Sequence, residues 1–161
     1  MSKTSYTWLA IGLGSAALAA GRLLLTDWLG LHPCHLCIFQ RLLFMLMAVL
    51  GALAALTRAD RVAGSLVVLL GLGGAAAAAY QSWLQAQPPA SVSCLAADPS
   101  LLERLVDWLG QQAPSLFLAT GFCADNALVI LGLSLANWSL VFFLAALVAA
   151  GWALRLGRAH P

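Results

Sequence analysis

The stretch PCHLCIFQRLLFMLMAVLGALAAL, residues 33–56, joins a redox motif to a membrane span. Cys34 and Cys37 form a CxxC pair, which can cycle between dithiol and disulfide because one thiolate can attack a sulfur bonded to the other. Residues 38–56 are apolar and contain a single charge, Arg41. A bilayer is crossed by about 20 residues of helix. We therefore predict a transmembrane helix that starts directly after the cysteine pair.

The composition of the whole chain indicates an integral membrane protein. Of its 161 residues, 62% are hydrophobic and only 9% are charged, whereas soluble domains carry roughly a quarter charged residues. The net charge of +2 predicts no nucleic-acid partner. We predict an all-α, four-transmembrane-helix bundle that forms one membrane domain over residues 1–161. The predicted spans are about 8–25, 38–56, 62–83 and 138–154, and the predicted outer loops are about 26–37 and 84–137.

Tryptophans support these limits, because indole rings favour the headgroup level of a bilayer. Five of the six lie at or near predicted span ends: Trp8, Trp28, Trp83, Trp138 and Trp152. Nothing from Asn126 to Leu154 is charged, which is longer than one span. We therefore expect Trp138 to mark the start of the fourth span, with residues 127–135 in the interface or against the bundle.

The basic residues predict the orientation, since short cytoplasmic loops are enriched in Lys and Arg. Four spans place both termini and the 57–61 turn on one side. That side carries five basic residues and the opposite side at most three: Lys3, Arg58, Arg61, Arg155 and Arg158 against Arg22, Arg41 and Arg104. Both termini are thus predicted to be cytoplasmic, and all four cysteines to lie outside.

The remaining cysteines, Cys94 and Cys123, lie in the long outer loop. Zinc is disfavoured for the four, because the second pair lacks short ligand spacing and an oxidising compartment favours disulfides. Haem attachment needs CxxCH, and Ile38 follows the motif. A structural disulfide remains an alternative for the loop pair. It explains the CxxC poorly, because a bridge across two residues removes little unfolded-state entropy. No metal site is predicted.

Arg41 lies one helical turn after Cys37 and shares a helix face with both cysteines of the motif. Pro33 can begin a helix at its first position, which would place Cys34 near a helix N-terminus, where thiolates are stabilised. A cation there would also favour thiolate. Alternatively, Arg41 only snorkels to the headgroups. The same alternative is preferred for Arg22, which has no cysteine near it in sequence.

A short amphipathic helix is predicted within the long loop. Ser100 and Glu103 fit a capping box, and Gly110 fits a helix end. Leucines and a valine repeat between them at helical spacing, with charged residues on the other face. Such a helix could lie on the membrane surface and hold the loop cysteines near the bilayer. Alternatively, it only covers the ends of the bundle.

The string Pro33-Cys34-His35-Leu36-Cys37-Ile38-Phe39-Gln40-Arg41, the four spans and the second cysteine pair resemble the disulfide bond formation protein B (DsbB) family. The resemblance covers nearly the whole chain. It implies a membrane thiol–disulfide oxidoreductase that reoxidises a periplasmic, thioredoxin-like DsbA-type protein. Its location would be the bacterial inner membrane, with the cysteine loops in the periplasm.

The resemblance also implies roles for single residues. Cys94 would take the mixed disulfide with the reduced partner, and Cys123 would pair with it in the loop disulfide. Electrons would pass to the Cys34–Cys37 disulfide and then to ubiquinone or menaquinone, which Cys37 and Arg41 would contact.

Some residues depart from the family pattern, and alternatives remain. Gln40 replaces an expected acid, Gln81 stands where a polar residue near the quinone is expected, and His35 within the motif could stabilise a thiolate. The alternatives are a quinone reductase similar to vitamin K epoxide reductase, and a non-enzymatic scaffold with a stapled outer loop. A vitamin K epoxide reductase-like protein would carry its CxxC near the end of a later span.

Overall fold

A computed structural model describes residues 3–57, 60–87, 100–124 and 128–158. Cys94, Arg58, Asp98 and Asp125 lie outside these described residues. The elements are α1 (Lys3–Leu29), α2 (His35–Leu56), α3 (Asp60–Gln85), α4 (Leu101–Gln112), α5 (Pro114–Phe117), β1 (Val129–Ile130), β2 (Leu133–Ser134) and α6 (Leu135–Arg158).

Four of these helices are long and apolar enough to cross a membrane. The membrane-length segments are Thr4–Leu29, His35–Leu56, Arg61–Gln85 and Leu135–Leu156. Large apolar side chains point outward along them, including Leu13, Leu24, Val49, Leu69 and Val148. Water would make such a surface unstable, whereas lipid tails accept it. The predicted four-helix membrane bundle is confirmed, and its helices run several residues past the predicted span limits.

The bundle is held by close backbone approach and by stacked aromatic rings. α1 packs mainly on α2, while α3 packs on α2 and α6. A Cβ added at Gly51 would lie 2.8 Å from the Cα of Gly12, so the α1 and α2 backbones touch there. Small residues allow such contacts between membrane helices. Phe44 of α2 stacks on Phe143 of α6 at a centroid distance of 4.5 Å, which ties the two helices together.

The interfacial position predicted for Trp8 is wrong. Its side chain is 1% exposed and packs against Gly64 of α3. The reason is that α1 already begins at Lys3, so Trp8 lies more than one turn inside the helix and faces the core. Trp28, Trp83 and Trp152 are all more than half exposed.

The last long helix begins at Leu135 rather than at Trp138. The hydroxyl of Ser134 accepts a hydrogen bond from the backbone N–H of Asn137 (3.3 Å) and donates one to Gln85 Oε1 (2.7 Å). Ser134 therefore caps α6 and ties its start to the end of α3. The residues before it form the β1–β2 hairpin, which packs against the helix because Trp138 Nε1 donates to the Ile130 carbonyl (3.0 Å).

The helix predicted in the outer loop is present as α4. Both bonds of the Ser100–Glu103 capping box form, at 3.3 and 2.7 Å. Gly110 does not end the helix, which continues to Gln112 and stops before Pro114, where a proline starts the short α5. Val106 is fully buried against the bundle. That α4 lies on a membrane surface remains a prediction.

Candidate redox site

The CxxC pair lies at the end of the bundle where α1 and α3 finish and α2 and α6 begin. Cys34 is the N-cap residue of α2, and the helix proper starts at His35. Pro33 thus precedes the cap, and the expectation that it occupies the first helical position is wrong. Cys34 is 2% exposed, and its thiol donates a hydrogen bond to the Cys37 sulfur at 3.3 Å. The two sulfurs are thus close neighbours without a bond between them, since a disulfide bond measures about 2.05 Å.

The segment before Cys123 is docked onto the CxxC by the backbone. The N–H groups of Thr120 and Gly121 both donate to the Pro33 carbonyl, at 2.9 and 3.1 Å. Gly121 is required for this approach, because a Cβ there would lie 2.0 Å from the carbonyl oxygen of His32. The ring Nδ1 of His32 lies 3.2 Å from Thr120 Oγ1. Two distant parts of the sequence are thereby held side by side.

Cys123 consequently lies in contact with Cys34. The two side chains pack in one cluster with Leu36 at the start of α2, and hydrogen bonding to the Cys34 thiol and to the Leu36 N–H favours negative charge on the Cys123 sulfur. These bonds lower the pKa of Cys123 despite its partial burial. Hydrogen bonding with the neighbouring Cys123 and Cys37 sulfurs, which share the single Cys34 proton, raises the pKa of Cys34 together with burial. Of these two cysteines, thiolate is therefore favoured at Cys123 and not at Cys34 as expected, chiefly because of hydrogen bonding to the Cys34 thiol and then to the Leu36 N–H.

Two buried amides complete the polar contacts of the pair. Gln81 of α3 donates from Nε2 to the sulfur of Cys37 (3.0 Å) and more weakly toward that of Cys34 (3.6 Å). Gln40 of α2 in turn donates to Gln81 Oε1 at 2.8 Å, which fixes the orientation of the amide. Both side chains are nearly inaccessible to solvent. The sequence placed Gln81 near the site by resemblance only, and the structure puts it in direct contact with the sulfurs.

Arg41 is buried and does not snorkel to a surface. It is 4% exposed and donates to the Leu116 carbonyl (2.8 Å) and to Thr26 Oγ1 (2.9 Å). It therefore links α2 to α1 and to the segment that leads to Cys123. Its Nε is buried and has no hydrogen-bond partner among the described residues.

Arg22 belongs to the same site, contrary to the preferred expectation that it snorkels. It is 9% exposed, and its Nη2 donates to the Leu135 carbonyl (2.9 Å) and to the Ser139 hydroxyl of α6. Its guanidinium carbon lies 5.6 Å from the centre of the Phe44 ring. The sequence holds one signal for the place of Arg22 in this site. Arg22 and Thr26 are one helical turn apart near the end of the first span, which is the end that leads to the CxxC.

His35, by contrast, points away from the sulfurs. Its Nε2 lies 3.0 Å from Asp107 Oδ1 on α4, and both groups are partly exposed. Among the described residues, the His35 ring forms its hydrogen bond with Asp107 and not with a sulfur of the pair. It connects the CxxC turn to the outer helix instead.

A cavity at this end of the bundle contains the two sulfurs. Cys34, Cys37, Arg22, Arg41 and Gln81 line it together with apolar side chains that include Leu25, Leu31 and Phe122. Arg22, Leu25 and Leu135 are shared with a second, almost wholly apolar groove of about 590 Å³ between α1 and α6. The groove opens on the lipid-facing side of these helices.

These features fit a quinone. Its apolar prenyl chain suits the groove, and its ring oxygens suit the two guanidinium groups, one of which has a buried N–H without a partner among the described residues.

Comparison with known proteins is consistent with this geometry. The family model "Disulfide bond formation protein DsbB" matches residues 4–153. The chain is 48% identical over 138 residues to "Disulfide bond formation protein B" of Dechloromonas aromatica (strain RCB), covering 84% of each chain. It is 38% identical over 151 residues to the protein of that name in Azoarcus sp. (strain BH72), covering 91% of this chain and 90% of the relative. "Disulfide bond formation protein B 2" of Burkholderia lata is 40% identical over 158 residues, which cover 93% of this chain and 88% of the relative.

Proposed function

Because this chain belongs to the disulfide bond formation protein B family, we propose that it moves electrons from Cys94 and Cys123 to Cys34 and Cys37 and then to a membrane quinone. The chain is a membrane protein-disulfide oxidoreductase that reoxidises a DsbA-like dithiol protein. The proposal concerns which of its residues carry the electrons, in which order, and in which compartment.

The packing of Cys123 against Cys34 is the observation that carries the proposal. Exchange requires a thiolate in line with a disulfide. Cys123 is the cysteine of the outer segment whose low pKa favours thiolate, and it touches the less accessible sulfur of the CxxC. Attack of Cys123 on Cys34 releases Cys37 as the leaving thiolate, which accepts a hydrogen bond from Gln81.

The complete reaction consists of two thiol–disulfide exchanges and one two-electron oxidation. The partner's dithiol becomes a disulfide while Cys94–Cys123 is reduced to two thiols. That loop pair is reoxidised when Cys34–Cys37 is reduced. The Cys34–Cys37 dithiol then loses two electrons and two protons. A lipid-soluble quinone would accept these two electrons and two protons and become a quinol. We propose ubiquinone or menaquinone as this acceptor.

The protein's own groups have separate tasks in this scheme. Gln81, held by Gln40, donates to the sulfur of Cys37. Arg41 holds the outer segment through the Leu116 carbonyl and lies beside the cavity. The apolar lining excludes water from the buried sulfurs. We further propose that the chain lies in the bacterial inner membrane with all four cysteines on the periplasmic side.

A turnover assay with purified protein tests the proposal. A reduced DsbA-type protein is mixed with a soluble quinone analogue, and the loss of quinone absorbance is followed. We expect turnover in the wild type and a loss of at least about a thousandfold in Cys37→Ala, because the electron path is broken. Ser65→Ala is the matched control, since its hydroxyl bonds only to carbonyls of its own helix. An inactive wild type, or an active Cys37→Ala, contradicts the proposal.

A further inference from the structure

Arg22 is a buried cation without a carboxylate to balance it. Its hydrogen-bond acceptors on α6 are neutral, namely the Leu135 carbonyl and the Ser139 hydroxyl, and the Phe44 ring lies beside it. Among the described residues, no acidic side chain forms an ion pair with it. A buried charge is costly unless an opposite charge or strong hydrogen bonds compensate. The site must therefore offer Arg22 a negative charge from another source.

The sulfurs of the CxxC are that source. Arg22 lines the same cavity as Cys34 and Cys37, so its guanidinium group and the two sulfurs share one enclosed space. When the pair is a disulfide, neither sulfur is charged. When the pair is reduced, a thiolate can form beside the guanidinium, and the low-dielectric surroundings strengthen their attraction. The positive charge of Arg22 is therefore better compensated when the Cys34–Cys37 pair is reduced than when it is a disulfide.

The second cation has a different set of contacts. Arg41 uses Nη1 and Nη2 to hold the Leu116 carbonyl and Thr26. Thr26 also donates to the Arg22 carbonyl at 2.7 Å, so the two arginines share one bridging residue on α1. Arg41 is therefore tied to the position of the outer segment, whereas Arg22 is tied to α6 and to the junction of the cavity with the lipid-facing groove.

We propose that Arg22 is a second cationic residue of the reacting centre, which stabilises the negative charge that Cys37 carries when the Cys34–Cys37 pair is reduced. This inference rests on the proposed function, because it assumes that the pair cycles. It adds a charged residue of α1 to the polar groups of α2 and α3 that line the cavity with the two sulfurs. It also places a positive charge at the opening through which an electron-accepting ring would approach from the lipid.

The test measures the charge on Cys37 without any quinone. In a full-length background with Cys34→Ser, Cys94→Ala and Cys123→Ala, Cys37 is the only cysteine, and iodoacetamide reacts with its thiolate form. At pH 7, Arg22→Met should slow alkylation by about tenfold, the effect expected when one unit charge near a partly buried anion is removed. Arg22→Lys keeps the charge and should retain most of the rate.

Ser139→Ala is the matched control, because it removes one of the two hydrogen bonds that Arg22 donates to α6 and leaves the charge in place. We expect its alkylation rate to stay within about twofold of the parent. Equal slowing in Ser139→Ala and Arg22→Met, or no slowing in Arg22→Met, would overturn the inference and show a packing role only. The turnover assay is separate. If the wild type turns over and Arg22→Met is alkylated at the parent rate, only the role of Arg22 is rejected. If the wild type does not turn over, the proposed electron path is rejected.

Discussion

At the scale of single residues, the Pro33 carbonyl positions the two cysteine segments relative to each other. It accepts two backbone hydrogen bonds from the segment that precedes Cys123. Each such bond contributes about 0.5–1.5 kcal/mol net. The arrangement depends on Gly121, because any side chain there would collide with the carbonyl of His32. One glycine thus permits the Cys34–Cys123 contact on which electron transfer is proposed to depend.

We predict that Gly121→Ala separates these two cysteines. In a variant with Cys37→Ala and Cys94→Ala, Cys34 and Cys123 are the remaining pair, and mild oxidation should join them. The added methyl group should slow formation of that disulfide by about tenfold or more, since two hydrogen bonds of about 1 kcal/mol each are strained. Mass spectrometry of the linked peptides measures the rate.

Gly151→Ala serves as the control for this substitution, because a Cβ at that position of α6 meets nothing within 4 Å. It should leave the rate unchanged. If Gly121→Ala and Gly151→Ala both oxidise at the parent rate, the docking of the outer segment through Pro33 is wrong.

At the scale of elements, α4 is held at its start by the capping box and at its middle by contacts with the bundle. Val106 is buried, and Asp107 reaches His35 of the CxxC turn. The Glu103 carboxylate accepts a hydrogen bond from the Ser100 backbone N–H, which holds the pKa of Glu103 below its usual value. The charged form of Glu103 thus favours the folded helix.

The stability of α4 should consequently depend on pH. Because folding lowers the pKa of Glu103, its stabilisation is complete above the unfolded value of about 4.3 and is lost as pH falls through the folded value. Amide exchange of residues 101–112, corrected for intrinsic rates, should be about two- to fivefold slower in wild type than in Glu103→Gln at pH 6. The two proteins should converge near pH 3, and a difference that does not change with pH contradicts this prediction.

At the scale of the whole molecule, the bundle carries its chemistry at one end. The two sulfurs of the CxxC, Cys123 and the two buried arginines lie where α1 and α3 finish. At the opposite end of the bundle, α1 and α3 begin and α2 and α6 finish, and the described basic residues Lys3, Arg61, Arg155 and Arg158 belong to those helix ends. From this distribution the positive-inside rule predicts that the reacting end faces the periplasm.

Cysteine labelling should reveal this orientation. In a background with all four native cysteines changed to Ala, Ser115→Cys lies on α5 at the reacting end and Thr57→Cys lies at the opposite end, and both positions are exposed. A membrane-impermeant maleimide added to spheroplasts should label Ser115→Cys directly. Thr57→Cys should react only after the membrane is permeabilised. The reverse pattern would place the cysteines in the cytoplasm.

The main features of the fold followed from the length and hydrophobicity of continuous sequence segments. Long apolar runs without charges must become helices in a bilayer, because lipid offers no partner for backbone groups. That reasoning predicted the four helices, and the Ser100–Glu103 pattern predicted the start of α4. The helix of the fourth span begins before Trp138, because Ser134 caps it by accepting from the Asn137 N–H and is itself held by Gln85, forty-nine positions earlier in sequence. The same reasoning misplaced Trp8, since facing the core or the interface depends on neighbouring helices.

Sequence alone determined the membrane bundle, the CxxC at the head of the second span, and the family whose reaction it resembles. Each depends on residues close together in the chain or on overall hydrophobicity. The tertiary structure alone decided that Cys123 touches Cys34, that Gln81 donates to Cys37, and that Arg22 is buried at the site rather than at the headgroups. These contacts join separate helices and loops, so their geometry follows from how the helices pack and not from local spacing.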